Sequence, residues 1–266
     1  MNSIDFKDED LQFLKSVIRR GGQILLENYE NPSGIERKSD GSLVSEVDKK
    51  SARFITKSLV KRFPNFAIID EEIGNDTSLE KEYCWVIDPL DNTRGYLAKE
   101  NTFSILICLL RRNVPIFGIS YRPLLDELVY SIKGKGTYLE DSSGIRKLHA
   151  SDSQNLDVLI SKSRSSEELE KLIKKIAPKK IRKMGGSTKI IELAKGTASV
   201  FVSPKVNVMH TWDLCATSLI LEEAGGIITD IGGNPLEFKR DHHVHHLGIL
   251  AASNKLLHQT ILKKII

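Results

Sequence analysis

The residues of this chain with the most chemistry in them share one short run, Trp85-Val86-Ile87-Asp88-Pro89-Leu90-Asp91-Asn92-Thr93-Arg94. An apolar strand drives there into two carboxylates, a rigid proline and a hydroxyl. Pro89 fixes its own φ and pushes the residue before it toward extended geometry, so the backbone turns and Asp88 and Asp91 can face one point. A Mg²⁺ ion takes that arrangement: one or two protein carboxylates, a backbone carbonyl, and remaining positions for water and phosphate oxygens. An Asp-Pro turn in which Asp91 or Thr93 caps a short helix accounts for the same residues without a metal. Glu71 and Glu72 close a second strand-like run, Phe66-Ala67-Ile68-Ile69-Asp70, and two strands ending in acids at one sheet edge would frame a pocket. Thr211-Trp212-Asp213 opens the apolar helical stretch Leu214 to Leu221, which puts Asp213 in a first turn, where the helix macrodipole favours an acid in any case.

These carboxylates need a scaffold, and the pattern along the chain supplies one. Leu11, Leu14, Val17, Ile18, Ile24, Leu25 and Tyr29 predict a long amphipathic first helix, and Ala52, Ile55, Leu59 and Phe63 a second. Phe103 to Leu110, Val114 to Tyr121 and Glu127 to Ile132 are rich in β-formers and read as an antiparallel meander. Beyond about residue 150 the units shorten. Strands are expected at 156–160 and 199–203, and helices at 165–176, at 187–195, from Trp212 onward and at the C-terminal end. No internal repeat or low-complexity segment stands out. Helices layered on sheets are the natural way to bury such elements.

The chain of 266 residues is long enough for a sizeable core, as one large domain or two smaller ones. No apolar run approaches the roughly 20 residues of a membrane helix, and the acidic start (Asp5, Asp8, Glu9, Asp10) is unlike a signal peptide, so a cytoplasmic location is expected. Cys84, Cys108 and Cys215 lie apart in apolar surroundings without metal-ligand spacing and read as reduced core thiols. A formal charge of +4 suits an anionic substrate only weakly. The basic run from Lys171 to Lys183 lacks interleaved aromatics and reads as a solvated helix face, not a nucleic-acid patch. Asp241-His242-His243-Val244-His245-His246 has no accompanying cysteine and reads as solvated histidines rather than a closed zinc site; stacking of one ring near a substrate base is the weaker reading.

Asp88-Pro89-Leu90-Asp91-Asn92-Thr93, with Glu71-Glu72 upstream and Trp212-Asp213 and Ala224-Gly225-Gly226 downstream, resembles the signatures of the inositol monophosphatase superfamily of Mg²⁺-dependent, lithium-sensitive phosphatases. Several motifs match in order over nearly the whole chain. The resemblance implies an α+β fold, a layered αβαβα sandwich. Its N-terminal half, residues 1–150, would carry most metal ligands, and its C-terminal half, residues 151–266, would carry Asp213 and the specificity residues. It implies as metal ligands Glu71, Asp88, the carbonyl of Leu90, Asp91 and Asp213, holding two or three Mg²⁺ ions between the halves. It also implies that Thr93 and Asp48 orient the attacking water, beside Glu71. Ser45 and Asp48 equally form a capping box for the second helix, and both roles can hold together. Lys38, in Lys38-Ser39-Asp40-Gly41-Ser42, matches the basic residue of the family's metal-proximal loop, although the segment also reads as a polar turn.

Two departures stand out. Asn92 replaces the family's usual glycine beside the phosphate, and Asn is the residue type that best tolerates the left-handed geometry a glycine permits. Thr217 replaces a small residue after the Trp-Asp segment, where helix packing would differ. On substrate, Val206 stands where inositol monophosphatases carry the acid that binds sugar hydroxyls, and it cannot accept those hydrogen bonds. Gly185-Gly186-Ser187-Thr188-Lys189 resembles a segment of the 3′(2′),5′-bisphosphate nucleotidases in which a helix N-terminus and a lysine meet a second phosphate. Leu90 and the segment Leu159 to Arg164 point the same way, whereas an exposed helix lysine is the plainer reading of Lys189. The expected activity is hydrolysis of adenosine 3′,5′-bisphosphate to AMP and phosphate, with Lys38, Asn92, Thr93, Ser187, Lys189 and Asp213 at the substrate. An inositol-phosphate or other sugar-phosphate phosphatase is the alternative enzyme. A non-catalytic phosphate sensor is the alternative of another class, and the water-orienting pair with Glu71 argues against it. The expected partner is a small phosphorylated molecule, a nucleotide by preference, with no nucleic acid, and the assembly a monomer or homodimer.

Overall fold

Strand β5 (Tyr83–Asp91) shows how the layers arise, because its alternate residues enter different cores. Cys84 and Val86 pack into a central core, while Trp85 and Ile87 pack into an outer one under two helices. A strand buried on both faces reads as a nearly continuous apolar run. The computed structural model describes residues 6–39, 41–75, 81–152, 155–163, 165–204, 209–240, 243–245 and 247–266.

In chain order α1 (Asp8–Glu27), the short pair β1 (Glu36–Arg37) and β2 (Leu43–Val44), and α2 (Glu46–Arg62) precede β3 (Ala67–Asp70), β4 (Gly74–Asn75) and β5. After β5 come α3 (Thr93–Leu97), β6 (Ser104–Arg111), β7 (Val114–Arg122), β8 (Glu127–Ile132), β9 (Gly136–Asp141) and β10 (Gly144–Leu148). The remainder is β11 (Asp157–Ser161), α4 (Glu167–Ile176), β12 (Lys180–Met184), α5 (Thr188–Ala194), β13 (Val200–Ser203), β14 (Met209–His210) and α6 (Thr211–Glu223), then β15 (Ile227–Asp230), β16 (Val244–His245), β17 (Ile249–Ala252) and α7 (Lys255–Ile265).

One eight-stranded sheet runs in the order β10-β9-β8-β7-β6-β5-β3-β4, and a five-stranded sheet in the order β12-β11-β13-β17-β15. The expected meander is β6 to β8, antiparallel throughout, and hairpins extend it to β10. Helices α1 and α2 cover one face of the larger sheet with Leu14, Ile18, Leu25, Ile55 and Leu59. On its other face lie α5 and α6, whose Ile190, Ile191, Leu214 and Ile220 share a core with Leu159, Phe201 and Ile249 of the smaller sheet. The far face of that sheet packs on α4 and α7 through Val158, Val200, Leu169, Leu257 and Ile261. The result is an α+β sandwich of five layers, αβαβα. In its middle, α6 is buried on every side from Leu214 to Leu221, and the hydroxyls of Thr217 and Ser218 in that stretch donate to the helix's own carbonyls.

Two expectations are corrected. The basic run is not one helix face: α4 ends at Ile176, and Lys180 to Met184 form β12, which pairs with β11 and, among the described residues, with no other strand, and so is the edge of the smaller sheet. Lysines on an exposed edge discourage pairing with another chain, a job the helical reading missed. Of the three cysteines, Cys84 stays outside any disulfide; Cys108 on β6 and Cys215 on α6 form one, their Cα atoms 6.0 Å apart. Both sit in the central core, where sheet and helix press their side chains together, a proximity across 107 residues of chain that spacing alone does not reveal.

Candidate active site

The C-terminal ends of the parallel strands β3 and β5 lie side by side, which brings Glu71 and the Asp88–Asp91 segment to one edge. The expected turn at Pro89 is a β-bulge: β5 continues to Asp91, and its register against β6 shifts between Asp88 and Asp91. A bulge re-aims side chains by breaking the strict alternation of a strand. Asp88 and Asp91, together with Asp213 from the first turn of α6, place carboxylate oxygens within 4.8 Å of one another. Asp88 and Asp91 are buried, and Asp213 is partly so. Such a set of hard oxygen donors fits a divalent cation of the Mg²⁺ type.

Each carboxylate is held by its own supports. The Asp91 carboxylate accepts the Ser187 N–H at 3.0 and 2.8 Å and the Ser104 hydroxyl at 3.2 Å. The start of α5, expected to face a phosphate, therefore faces Asp91. Gly186 makes this approach possible: its φ is +70°, and a Cβ there would lie 2.7 Å from Asp91 Oδ2. Asp213 accepts the His210 N–H at 2.6 Å and the Ser187 hydroxyl at 3.3 Å. Asp88 Oδ1 accepts the Leu90 N–H at 3.1 Å.

Burial of so much negative charge makes the cluster hard to ionise. Asp88 is pushed well above the usual carboxylate range, first by burial and then by Glu71, Asp91 and Asp213. Burial and Asp213 push Asp91 up to about 6. Burial likewise lifts Glu71 to about 7, against the pull of Lys38. A bound cation would relieve all three. Glu71 lines the same cleft but reaches the cluster's edge, where Lys38 Nζ donates to it at 2.9 Å and to Glu72 at 2.6 Å. Burial alone would lower the pKa of Lys38, but these carboxylates outweigh it and hold it raised.

Thr93 Oγ1 donates to Asp48 Oδ1 at 2.8 Å and lies 3.3 Å from the Leu90 carbonyl. Asp48 also accepts the Ser45 N–H and hydroxyl at 2.8 and 2.5 Å, so the capping box of α2 and the Thr93 contact use opposite oxygens of one carboxylate. Asn92 is left-handed at φ 68°, as expected of glycine's replacement; it accepts from Gly95 N and donates to Thr102. Thr217 is fully buried, and its hydroxyl donates to the Asp213 carbonyl at 2.9 Å, so the substitution adds no unsatisfied group.

Glu71, Asp88, Leu90, Asp91, Asn92, Thr93, Ser187 and Asp213 line a cleft of about 420 Å³ that also takes in Ser42, Arg94, Ser161, Ser163, Lys189, Met209, His210 and Trp212. Lys189 is not the exposed helix lysine of the plainer reading. It is 4 % exposed, donates to the Gly186 carbonyl and lies 5.3 Å from the Phe201 ring centre. His210 stacks on Trp212 at 4.7 Å, and His243 leans on the same indole at 5.8 Å, while His245 packs on Phe238. Val206, Asp40, Arg164, Asp241, His242 and His246 lie outside the described residues. Sequence reasoning missed Arg94 and His210. The signal for His210 was its place directly before the Thr211-Trp212-Asp213 turn it caps.

Comparison with known proteins agrees with this geometry. The model of the inositol monophosphatase family matches residues 7–265. A 3′(2′),5′-bisphosphate nucleotidase CysQ from Buchnera aphidicola is 32% identical over 224 residues, 82% of this chain and 83% of that protein. A fructose-1,6-bisphosphatase/inositol-1-monophosphatase from Aquifex aeolicus is 30% identical over 264 residues, 95% of this chain and 94% of its own. In fold, the extragenic suppressor protein SuhB from Bartonella henselae superposes with a TM-score of 0.83 at 22% identity, covering 96% of this chain and 97% of that one. Layered sandwich, acidic cluster and full-length match converge on one conclusion: the chain belongs to the inositol monophosphatase family, and it is a phosphatase.

Proposed function

We propose that the chain is a Mg²⁺-dependent phosphatase of nucleotide bisphosphates, releasing phosphate and AMP from adenosine 3′,5′-bisphosphate. The observation that carries the reading is the meeting of Asp88, Asp91 and Asp213 within 4.8 Å, beside a Thr93–Asp48 pair joined at 2.8 Å. Glu71, Asp88, the Leu90 carbonyl, Asp91 and Asp213 would hold two or three Mg²⁺ ions between residues 1–150 and 151–266. Bound there, the ions supply charge neutralisation for the transferring phosphoryl group and a more acidic water.

The chain's own residues do the positioning. Because the Thr93 proton is committed to Asp48, its hydroxyl presents lone pairs and accepts an O–H from water, aiming the water oxygen at phosphorus. Attack forms the new P–O bond as the bond to the ribose oxygen breaks, its electron pair staying on that oxygen, which takes a proton from solvent water. Asp48, whose pKa is raised by burial, takes up the water's proton through Thr93. Asn92 and Ser187 line the cleft beside the phosphate, Lys38 stands at its edge paired with Glu71 and Glu72, and Lys189 lends positive charge beside Asp91. The 32% identical nucleotidase supports a nucleotide substrate.

The Aquifex relative, matched over 95% of this chain, favours a second reading, a sugar-phosphate or inositol-phosphate monoesterase. Phosphate release from adenosine 3′,5′-bisphosphate and inositol 1-phosphate, side by side in Mg²⁺ with Asp91→Asn as control, separates the two. The first reading expects preference for the nucleotide, lost in the control. Preference for inositol 1-phosphate selects the second, and nucleotide binding without turnover would overturn both.

A further inference from the structure

A nucleotide bisphosphate brings a second phosphate that the acidic cluster cannot hold, since the ions it would bind would serve the phosphate being hydrolysed. That dianion needs a cation that lines the same cleft, meets solvent and is not already compensated. Two cationic residues line the cleft among the described residues, Lys189 and Arg94. Lys189, expected from the sequence to meet the second phosphate, is engaged: it is 4 % exposed, its ammonium donates to the Gly186 carbonyl, and its field acts on Asp91. Just outside, Lys38 is paired with Glu71 and Glu72, and Lys162 with Glu100 at 2.6 Å. Arg94 differs from all three. It is exposed, it follows Thr93 directly in α3, and among the described residues its guanidinium has no ion pair or hydrogen-bond partner. A solvated surface arginine accounts for its exposure, but not for the lack, among the described residues, of a carboxylate partner at the mouth of a cleft so rich in them.

We propose that Arg94 anchors the second phosphate and sets the preference for bisphosphate over monophosphate nucleotides. A guanidinium suits this because it offers paired N–H donors in the fork geometry of a phosphate. The inference rests on the nucleotide reading above.

The test compares kcat/KM for adenosine 3′,5′-bisphosphate and adenosine 3′-monophosphate in the intact protein, Arg94→Gln and Arg94→Lys. The intact protein should favour the bisphosphate, and Arg94→Gln should cut that preference by about ten- to a hundredfold, chiefly through KM. Arg94→Lys should keep part of it as a point charge. Added salt should shrink the preference in the intact protein and not in Arg94→Gln. A preference that survives Arg94→Gln, or an intact protein that treats the two nucleotides alike, would overturn the inference and leave the nucleotide reading standing. Turnover of inositol 1-phosphate with neither nucleotide hydrolysed would instead overturn that reading, and this inference with it.

Discussion

Asp48 serves two masters at the scale of single residues: one oxygen closes the cap of α2, and the other receives the Thr93 proton. Cap and site are thereby built from the same carboxylate. Thr93→Ala should lower kcat by about 10² to 10⁴, the usual range for a lost acid–base or water-orienting group, with little loss of stability because the capping box survives. Single-turnover phosphate release with a parallel thermal melt checks both halves of that statement. The carboxylates titrate in a way that can also be tested. Burial first, then neighbouring acids, lift Asp91 to about 6 and Glu71 to about 7, both above their unfolded values. The folded state therefore binds more protons than the unfolded one across this window, and its stability falls as pH rises. In metal-free protein the contribution is full below about pH 4 and lost as pH passes through about 6 and then about 7. Since Mg²⁺ offsets the exposed repulsion, it should raise Tm more at about pH 8 than at about pH 5; equal rises at both would contradict the account.

Among elements, the contact of α6 with the larger sheet decides where Asp213 stands. Gly118 on β7 lies so close beneath the helix that an added Cβ would sit 2.9 Å from the Ala216 carbonyl oxygen. Gly118→Ala should cost about 1–3 kcal/mol, the usual penalty for overpacking, because backbone must move. The displaced helix carries Asp213, so Mg²⁺ should bind more weakly in the same variant. A variant that loses stability while keeping the metal affinity would show that the helix tilts without moving its first turn. The bulge in β5 is the second decisive element. Pro89 signalled a break in regular structure, yet whether the chain would turn or bulge depended on β6, which pairs with Asp88 and again with Asp91.

At the scale of the whole molecule, the Cys108–Cys215 bridge ties the larger sheet to the central helix across 107 residues. A loop of that size is worth about 4–5 kcal/mol by chain entropy. Thiol titration of the denatured protein without reductant should find one free thiol, Cys84, and reduction should expose the others and lower stability by several kcal/mol. Three free thiols before reduction would mean that no bridge forms. The sequence by itself determined the apolar periods of α1 and α2, the meander of β6 to β8, the left-handed Asn92, and the carboxylates that meet at the cleft. These are written in local terms, as side-chain period, backbone preference and residue type, so they can be read one segment at a time. Other features exist only once distant segments touch. Examples are the edge strand β12, the pairing of Cys108 with Cys215, the engagement of Lys189 by Gly186, and an Arg94 guanidinium that is unpaired among the described residues. A lysine in sequence is only a charge on a flexible stem, and the fold decides whether that charge is buried, paired or free, because burial and distance set its energy.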